Sequence, residues 1–358
     1  MSGLVLIMAG GTGGHVFPAL AVADELRRRG VEVAWLGTAA GLEARVVPAA
    51  NIPFHTLQVS GLRGKGMRSW LMAPLQLLRA FRQAYAQIRE LNPHAVLGMG
   101  GFTAGPGGVC AWLQHRPLII HEQNAIPGLT NRLLSFIARR VLVAFPGALP
   151  AARAEVVGNP VRAEIAAMPA PEVRFANRQG PLRLLILGGS LGALALNQVV
   201  PKALARLPDI ECSIWHQTGK QGYEETQAAY QAQARDARVV PFIEDMASAY
   251  TWADLVICRA GALTIAELAL AGLGAVLVPY PHAVDDHQTH NARYLVERQA
   301  AILLPQTELS EDRLAALLAD LLRDRGRLQA MAVAARSLAQ PQATQAVAEA
   351  LLAEGGMA

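Results

Sequence analysis

Three glycine-rich turns, each fed by a short apolar run, place backbone amides where they can bind an anion. Leu4-Val5-Leu6-Ile7-Met8-Ala9 runs into Gly10-Gly11-Thr12-Gly13-Gly14-His15, and Leu184-Leu185-Ile186-Leu187 runs into Gly188-Gly189-Ser190-Leu191-Gly192-Ala193. The third follows Leu255 to Cys258, where Arg259-Ala260-Gly261-Ala262-Leu263-Thr264 leads into Ile265-Ala266-Glu267-Leu268. Glycine lets the backbone approach a ligand closely, and the amides that open the next helix favour a negative group. Such a terminus contributes about 0.3–1 kcal/mol to anion binding, and up to roughly 2 kcal/mol when partly buried. The chemistry this suits is the holding of a nucleotide diphosphate. Glu267, expected in the first turn of its helix, is an odd neighbour for an anion. Its carboxylate either grips the two hydroxyls of a ribose or only complements the helix dipole.

The first two turns do not meet the dinucleotide fingerprint. Val16 stands where glycine or alanine is needed, Gly189 lacks a glycine two residues on, and no acidic residue closes the second strand. The Walker lysine is missing too. Taken singly, each turn is a weak signal, with a plain tight strand-to-helix connection as the lesser alternative; one in each half of the chain, in register, favours a shared ligand.

The elements that must carry these turns alternate. Apolar runs at Leu4 to Met8, Val31 to Leu36, Ala95 to Leu97, Leu118 to Ile120 and Val141 to Ala144 are separated by helical patterns, the first from Pro18 to Arg29 with Gly30 behind it. That rhythm predicts parallel strands with crossover helices. Between Pro160 and Pro181 periodicity fails, which suggests an interdomain linker. The alternation then returns with strands at Arg183 to Leu187, Ile210 to Trp215, Leu255 to Cys258 and Ala275 to Val278, and helices after Gly192, Gly261 and Asp286. From Ser310 to Ala353 the pattern is helical throughout.

At 358 residues, 52% of them hydrophobic and 17% charged, the chain suits two globular domains. A net charge of +4 is mild for a duplex-binding protein, so no nucleic-acid partner is expected. Cys110, Cys212 and Cys258 are odd in number and lack ligand spacing, which fits a reducing compartment. The opening apolar run stops at Ala9 without a basic leader, and no stretch of about 18 apolar residues follows, so membrane contact is expected to be peripheral. One segment invites it. Between Val59 and Glu90, Arg63, Lys65, Arg68, Arg79, Arg82 and Arg89 are interleaved with Met67, Trp70, Leu71, Met72, Leu75, Leu78 and Phe81. It reads as an anionic-membrane contact or as an amphipathic helix with its apolar face in the core.

The turns occur in one order with His121-Glu122-Gln123-Asn124, Gly158-Asn159-Pro160-Val161-Arg162 and His287-Gln288-Thr289. Together, over nearly the whole chain, these motifs resemble the bacterial N-acetylglucosaminyltransferases that convert lipid I to lipid II in peptidoglycan synthesis. The resemblance implies a GT-B architecture of two Rossmann-like, doubly wound parallel-sheet α/β domains facing a cleft. Residues 1–160 would form the acceptor and membrane domain, joined by a helix from 341–358, and residues 161–340 the UDP-sugar domain. It implies UDP-N-acetylglucosamine as donor, touched by Thr12, Gly13, Gly14, Asn124, Arg162, Ser190, Ile243, Ala262, Leu263, Thr264, Ile265, Ala266, Glu267 and Gln288. By the same resemblance the acceptor is lipid I, the place of work is the cytoplasmic face of the bacterial inner membrane, and partners come from the cell-wall and division machinery.

An inverting transfer needs a base for the acceptor hydroxyl, and His15 fits, since histidine titrates near neutrality; the alternative is a polar residue packed at a helix start. Glu122 and His121 are weaker candidates for acceptor chemistry. Helix-terminus amides, Ser190 and Arg162 can steady the departing diphosphate, so no metal or other cofactor is expected. Asp285 and Asp286 are adjacent and suit a solvated helix start better than metal ligation. Two departures from the family pattern stand out: Phe102 where tyrosine is common, and Thr289 after Gln288. Rival readings are a UDP-sugar epimerase of the same fold and a membrane-attached nucleotide-sugar sensor without turnover.

Overall fold

The computed structural model describes residues 3–58, 67–176, 178–189 and 192–357 and divides into two compact units, Met1–Arg162 with Pro341–Ala358, and Ala163–Gln340. In the first, β1 (Leu4–Met8), α1 (Gly13–Arg28), β2 (Glu32–Thr38), α2 (Glu43–Ala49), β3 (Phe54–Leu57), α3 (Met67–Leu91), β4 (Ala95–Gly98), α4 (Ala104–Leu113), β5 (Leu118–Glu122), α5 (Leu129–Leu134), β6 (Arg140–Val143) and β7 (Ala154–Val156) follow in order. The second holds α6 (Ala163–Ala166), α7 (Pro171–Ala176), β8 (Leu182–Leu187), α8 (Leu194–Ala205), β9 (Cys212–Gln217), α9 (Tyr223–Ala232), β10 (Ala237–Val240), α10 (Met246–Trp252), β11 (Leu255–Cys258), α11 (Ala262–Ala271), β12 (Gly274–Leu277), α12 (His287–Val296), β13 (Ala301–Leu303), α13 (Glu311–Leu321) and α14 (Arg325–Ser337). The chain then returns to the first unit as α15 (Ala343–Glu354).

Both sheets are wholly parallel, ordered β3-β2-β1-β4-β5-β6-β7 and β10-β9-β8-β11-β12-β13. In each, the order reverses beside the strand that feeds the leading glycine turn: β1 against β4, and β8 against β11. Ligands of open parallel sheets bind outside the carboxyl ends of strands at such a switch point. The strands read as unbroken apolar runs because helices cover both faces. Alternation sends Val5 and Ile7 into one core with α1 and α15, while Leu6 and Met8 enter another with α3 and α4.

Two expectations change. The first helix begins at Gly13, not Pro18, which lies inside it. Glycine's weak helix propensity masks that first turn in the sequence, but Val16 is fully buried there and packing overrides propensity. The supposed linker carries α6 and α7, which belong to the second unit. There the buried Arg174 donates to Ala271 O at 2.6 Å and to Gly272 O, capping the end of α11. On α3, Ala80, Ala84 and Ile88 are buried, as an amphipathic helix with an apolar face in the core requires, and Leu75, Leu77, Leu78 and Tyr85 are exposed. Arg63 and Lys65 lie outside the described residues. No helix among those described is long and apolar enough to cross a membrane.

Candidate active site

In the first unit the site forms where β1, β4 and β5 end. The turn after β1 is fixed from beneath, since Trp35 Nε1 donates to Ala9 O at 2.9 Å and the buried Glu43 accepts from Gly11 N at 3.0 Å. Glu43 also accepts from Thr38 N and Thr38 Oγ1, and these hydrogen bonds outweigh its desolvation and hold its pKa below the ordinary value. Thr12, in extended conformation, caps α1 without a side-chain hydrogen bond. Gly13, Gly14 and His15 are thus the first helical residues. The loop after β4 closes over them: a Cβ at Gly100 would sit 3.1 Å from His15 Cε1, and one at Gly101 would sit 2.5 Å from Gly10 O. Phe102 follows, exposed.

His15 Nδ1 lies 2.7 Å from Oε1 of the buried Gln123. His121 and Glu122, offered for acceptor chemistry, are both buried and hydrogen-bonded. His121 is fully buried with Nε2 2.9 Å from Gly158 O, and burial pushes its pKa down to about 4. Glu122 is 1% exposed and accepts from Asn124 N, Asn124 Nδ2, Gly128 N and Asn131 Nδ2, which shapes the loop that presents Asn124. Asn159 Nδ2 donates to Gln123 O at 3.0 Å, tying the Gly158–Arg162 stretch to the same edge; Arg162 at its end is exposed.

In the second unit the carriers gather at the carboxyl edge of its own sheet. A Cβ at Gly192 would meet Thr218 O at 2.0 Å, so the turn after β8 lies directly on the end of β9. Ser190, the turn's expected phosphate ligand, lies outside the described residues. After β11, Gly261 caps α11 with no side-chain hydrogen bond, and the helix opens at Ala262, Leu263 and Thr264. Glu267 is its sixth residue, beyond the first turn. The dipole explanation for it therefore weakens, because that interaction decays within a turn. It is 7% exposed, and its Oε2 accepts from Tyr250 Oη at 2.9 Å. Ile265 is buried within the helix, beside Ala266, and Ile243 is buried after β10. Gln288 Oε1 accepts from Tyr280 N at 2.9 Å, and Thr289 Oγ1 donates to Asp286 Oδ1 at 2.7 Å. Asp285 and Asp286 both hold positive φ, 53° and 50°, and Asp286 stands at the N-terminal cap position of α12 without a side-chain hydrogen bond to a backbone amide. Among the described residues, no three His, Cys, Asp or Glu side chains gather as a metal site.

Gln123, Gly100, Glu43 and Tyr250 were not assigned roles from sequence. Gln123 stood inside a quoted motif, but its partner is 108 positions away.

Each unit has a buried neutral histidine: His121 in the first, and in the second His216, with Nδ1 3.0 Å from Tyr230 Oη and Nε2 3.2 Å from Asn197 Oδ1. Burial pushes the latter's pKa down to about 3. As pH falls through 6.5 the unfolded chain takes up protons that these folded sites refuse, so stability present above 6.5 is lost. Each unit should weaken by about 2 kcal/mol between pH 7 and pH 5. Urea unfolding at the two pH values checks this, and His216→Phe should flatten the slope of the second unit alone.

Residues 5–143 match the glycosyltransferase family 28 N-terminal domain and residues 183–349 the family 28 C-terminal domain. The chain is 61% identical over 351 residues, 98% of either protein, to a UDP-N-acetylglucosamine--N-acetylmuramyl-(pentapeptide) pyrophosphoryl-undecaprenol N-acetylglucosamine transferase of Alkalilimnicola ehrlichii. It is 56% identical over 347 residues to the protein of the same name from Nitrosococcus oceani, covering 96% of this chain and 97% of that one. Among solved structures, MurG of Acinetobacter baumannii is similar at a TM-score of 0.86 and 44% identity, covering 98% and 99% of the two chains. The UDP-GlcNAc 2-epimerase of Neisseria meningitidis, at 12% identity and a TM-score of 0.67 over 98% and 99% of the chains, shares the fold alone.

Proposed function

The chain belongs to glycosyltransferase family 28, and from that premise we infer how its two Rossmann-like units divide one reaction between base and donor grip. The protein is a UDP-N-acetylglucosamine-dependent N-acetylglucosaminyltransferase of the GT-B class, forming lipid II from lipid I in peptidoglycan synthesis. His15 removes the proton from the 4-hydroxyl of the muramoyl sugar as that oxygen attacks the anomeric carbon from the face opposite UDP. What supports this is its position: the third residue of α1, at the switch point, with its ring held by Gln123 and walled by Gly100.

The departing diphosphate is met by the amino end of α11 at Ala262, Leu263 and Thr264, with Ser190 and Arg162 adding a hydroxyl and a charge. Glu267, oriented by Tyr250, takes the ribose hydroxyls. Backbone groups of Ile243 pair with uracil, and Gln288 reads the hexosamine hydroxyls. Thr12, Gly13, Gly14 and Asn124 are the first unit's contacts with the donor, and Ile265 and Ala266 complete the turn that carries Glu267. The assay is passage of radiolabelled sugar from UDP-N-acetylglucosamine to a lipid I analogue. Transfer supports the reading; isomerised free donor, or binding without turnover, overturns it.

The acceptor is lipid-linked, so the enzyme must go to the bilayer. We place the contact on α3, α4 and α5, which pack in succession. Their exposed apolar residues include Leu77, Leu78, Trp112, Leu113 and Leu133, with Phe136 just after α5 and Arg79 and Arg82 exposed on α3. The membrane is the cytoplasmic face of the bacterial inner membrane, where cell-wall and division proteins are the neighbours. Basic residues near anionic lipid each contribute about 1 kcal/mol. Leu78→Glu combined with Phe136→Glu should lower partition onto anionic vesicles by roughly tenfold or more, the worth of about 1.4 kcal/mol. Transfer to a soluble acceptor analogue should be unchanged in that variant.

A further inference from the structure

His15 ends a chain of hydrogen bonds whose far end permits only one arrangement of protons. Gly158 O can only accept, and His121 Nε2 lies 2.9 Å from it, so the proton of His121 is on Nε2. His121 is fully buried and neutral, its pKa pushed down to about 4 by burial, so its Nδ1 carries a lone pair. Gln123 Nε2 lies 3.1 Å from that lone pair and 2.9 Å from His121 O. Two acceptors therefore face the amide nitrogen, which has two protons to give. Rotating the amide by half a turn would set its oxygen against both acceptors inside a buried site, at the cost of two unsatisfied groups. Gln123 is 1% exposed, and its own backbone carbonyl is held by Asn159 Nδ2 at 3.0 Å, so it cannot swing clear. Its Oε1 therefore faces His15 Nδ1 at 2.7 Å, and an amide oxygen only accepts.

Building on the assignment of His15 as base, we propose that Gln123 and His121 are positioning residues that fix the His15 tautomer: the proton is held on Nδ1 by Gln123 Oε1, and Nε2 keeps the lone pair that takes the acceptor's proton. The Nδ1–H form is the minor tautomer of a free histidine side chain, so something must select it. The orienting group here is an uncharged amide rather than the carboxylate common beside catalytic histidines. Its own orientation is set one residue further back, by a second imidazole locked to the main chain. When the hydroxyl proton reaches Nε2, His15 becomes an imidazolium with both nitrogens donating, and the Gln123 bond survives the step without a second proton moving.

The test is long-range nitrogen–proton correlation NMR on the full chain labelled in histidine nitrogen, with His15→Gln identifying the resonances. In the parent, His15 should show a protonated Nδ1 and a bare Nε2. Gln123→Met keeps the bulk but removes the acceptor. It should move His15 toward the Nε2–H form and lower kcat by roughly 10–100-fold, the range for loss of an orienting partner. The donor KM should stay near its parental value, and the melting temperature should fall by the loss of the two buried hydrogen bonds to His121; a merely structural role would give that fall without the change of tautomer. Gln123→Glu, which restores an acceptor to Nδ1, should recover the tautomer. A parent spectrum with the proton on Nε2 overturns the proposal, and that measurement needs no variant to fold. So does a Gln123→Met protein whose His15 keeps Nδ1–H. The base assignment is tested separately: a His15→Ala enzyme at the parental rate would remove the base, while a parent spectrum with Nδ1–H would still support the relay.

Discussion

His15→Ala is expected to cut kcat for transfer to a lipid I analogue by roughly 10²–10⁴-fold, the usual contribution of a positioned general base. In barrier terms this is about 3–5 kcal/mol. The donor KM should move little, because the proposed diphosphate and ribose contacts lie on the second unit's turn after β11, and those proposed for the first unit are the peripheral Thr12, Gly13 and Gly14. Loss of rate without loss of donor affinity marks an interaction made in the transition state alone. A packing defect would look different. His15 is half-buried, its ring meets Gly100 and Gln123, and alanine at a helix's third residue is a good helix former, so the melting temperature should hold. If transfer instead continued at the parental rate, the proton would have to leave by another route, and Glu122 offers none, with its oxygens engaged by four donors.

How far the sequence alone reaches follows from what each element depends on. Central strands such as β1 and β11 declare themselves, because burial on both faces demands an unbroken apolar run. The edge strands β3, β7, β10 and β13 do not. Phe54-His55-Thr56-Leu57 and Ala154-Glu155-Val156 are short and mixed, as edges are, and only their neighbours make them strands. Pro160 to Pro181 looked like a linker for a similar reason: α6 and α7 are four and six residues long, too short for periodicity to register, and Arg174 anchors them to a carbonyl pair nearly a hundred positions away. The site shows the same division. The strand-to-helix turns after β1 and β11 were legible because local spacing marks them. Glu43, Gly100 and Gln123 were not, because each acts on a residue that only the fold brings near.

Gly192→Ala should be the most damaging single-atom-scale change in the second unit, and Gly189→Ala, three residues earlier in the same turn, is its control. Both glycines hold positive φ, +82° and +80°, so alanine at either costs roughly 1–2 kcal/mol for the backbone conformation. Beyond that they part. A Cβ at Gly189 meets nothing within 4 Å, whereas one at Gly192 lands 2.0 Å from Thr218 O. That oxygen cannot yield cheaply. Asn197 Nδ2 donates to it at 3.0 Å, Asn197 Oδ1 faces the buried His216 at 3.2 Å, and Thr218 N is held by Val240 O at 3.0 Å. Moving Thr218 would therefore disturb the β9–β10 pairing and a buried polar network together, each loss costing on the order of 1–3 kcal/mol. The melting temperature of the second unit should fall at least twice as far for Gly192→Ala as for Gly189→Ala, at roughly 2–4 °C per kcal/mol for a domain of this size. If Ser190 is the phosphate ligand proposed above, the donor KM should rise with it, since Gly192 lies two residues beyond Ser190. Equal melting shifts for the two variants would mean that φ alone makes glycine necessary there, and that the turn's close approach to β9 carries no energetic weight.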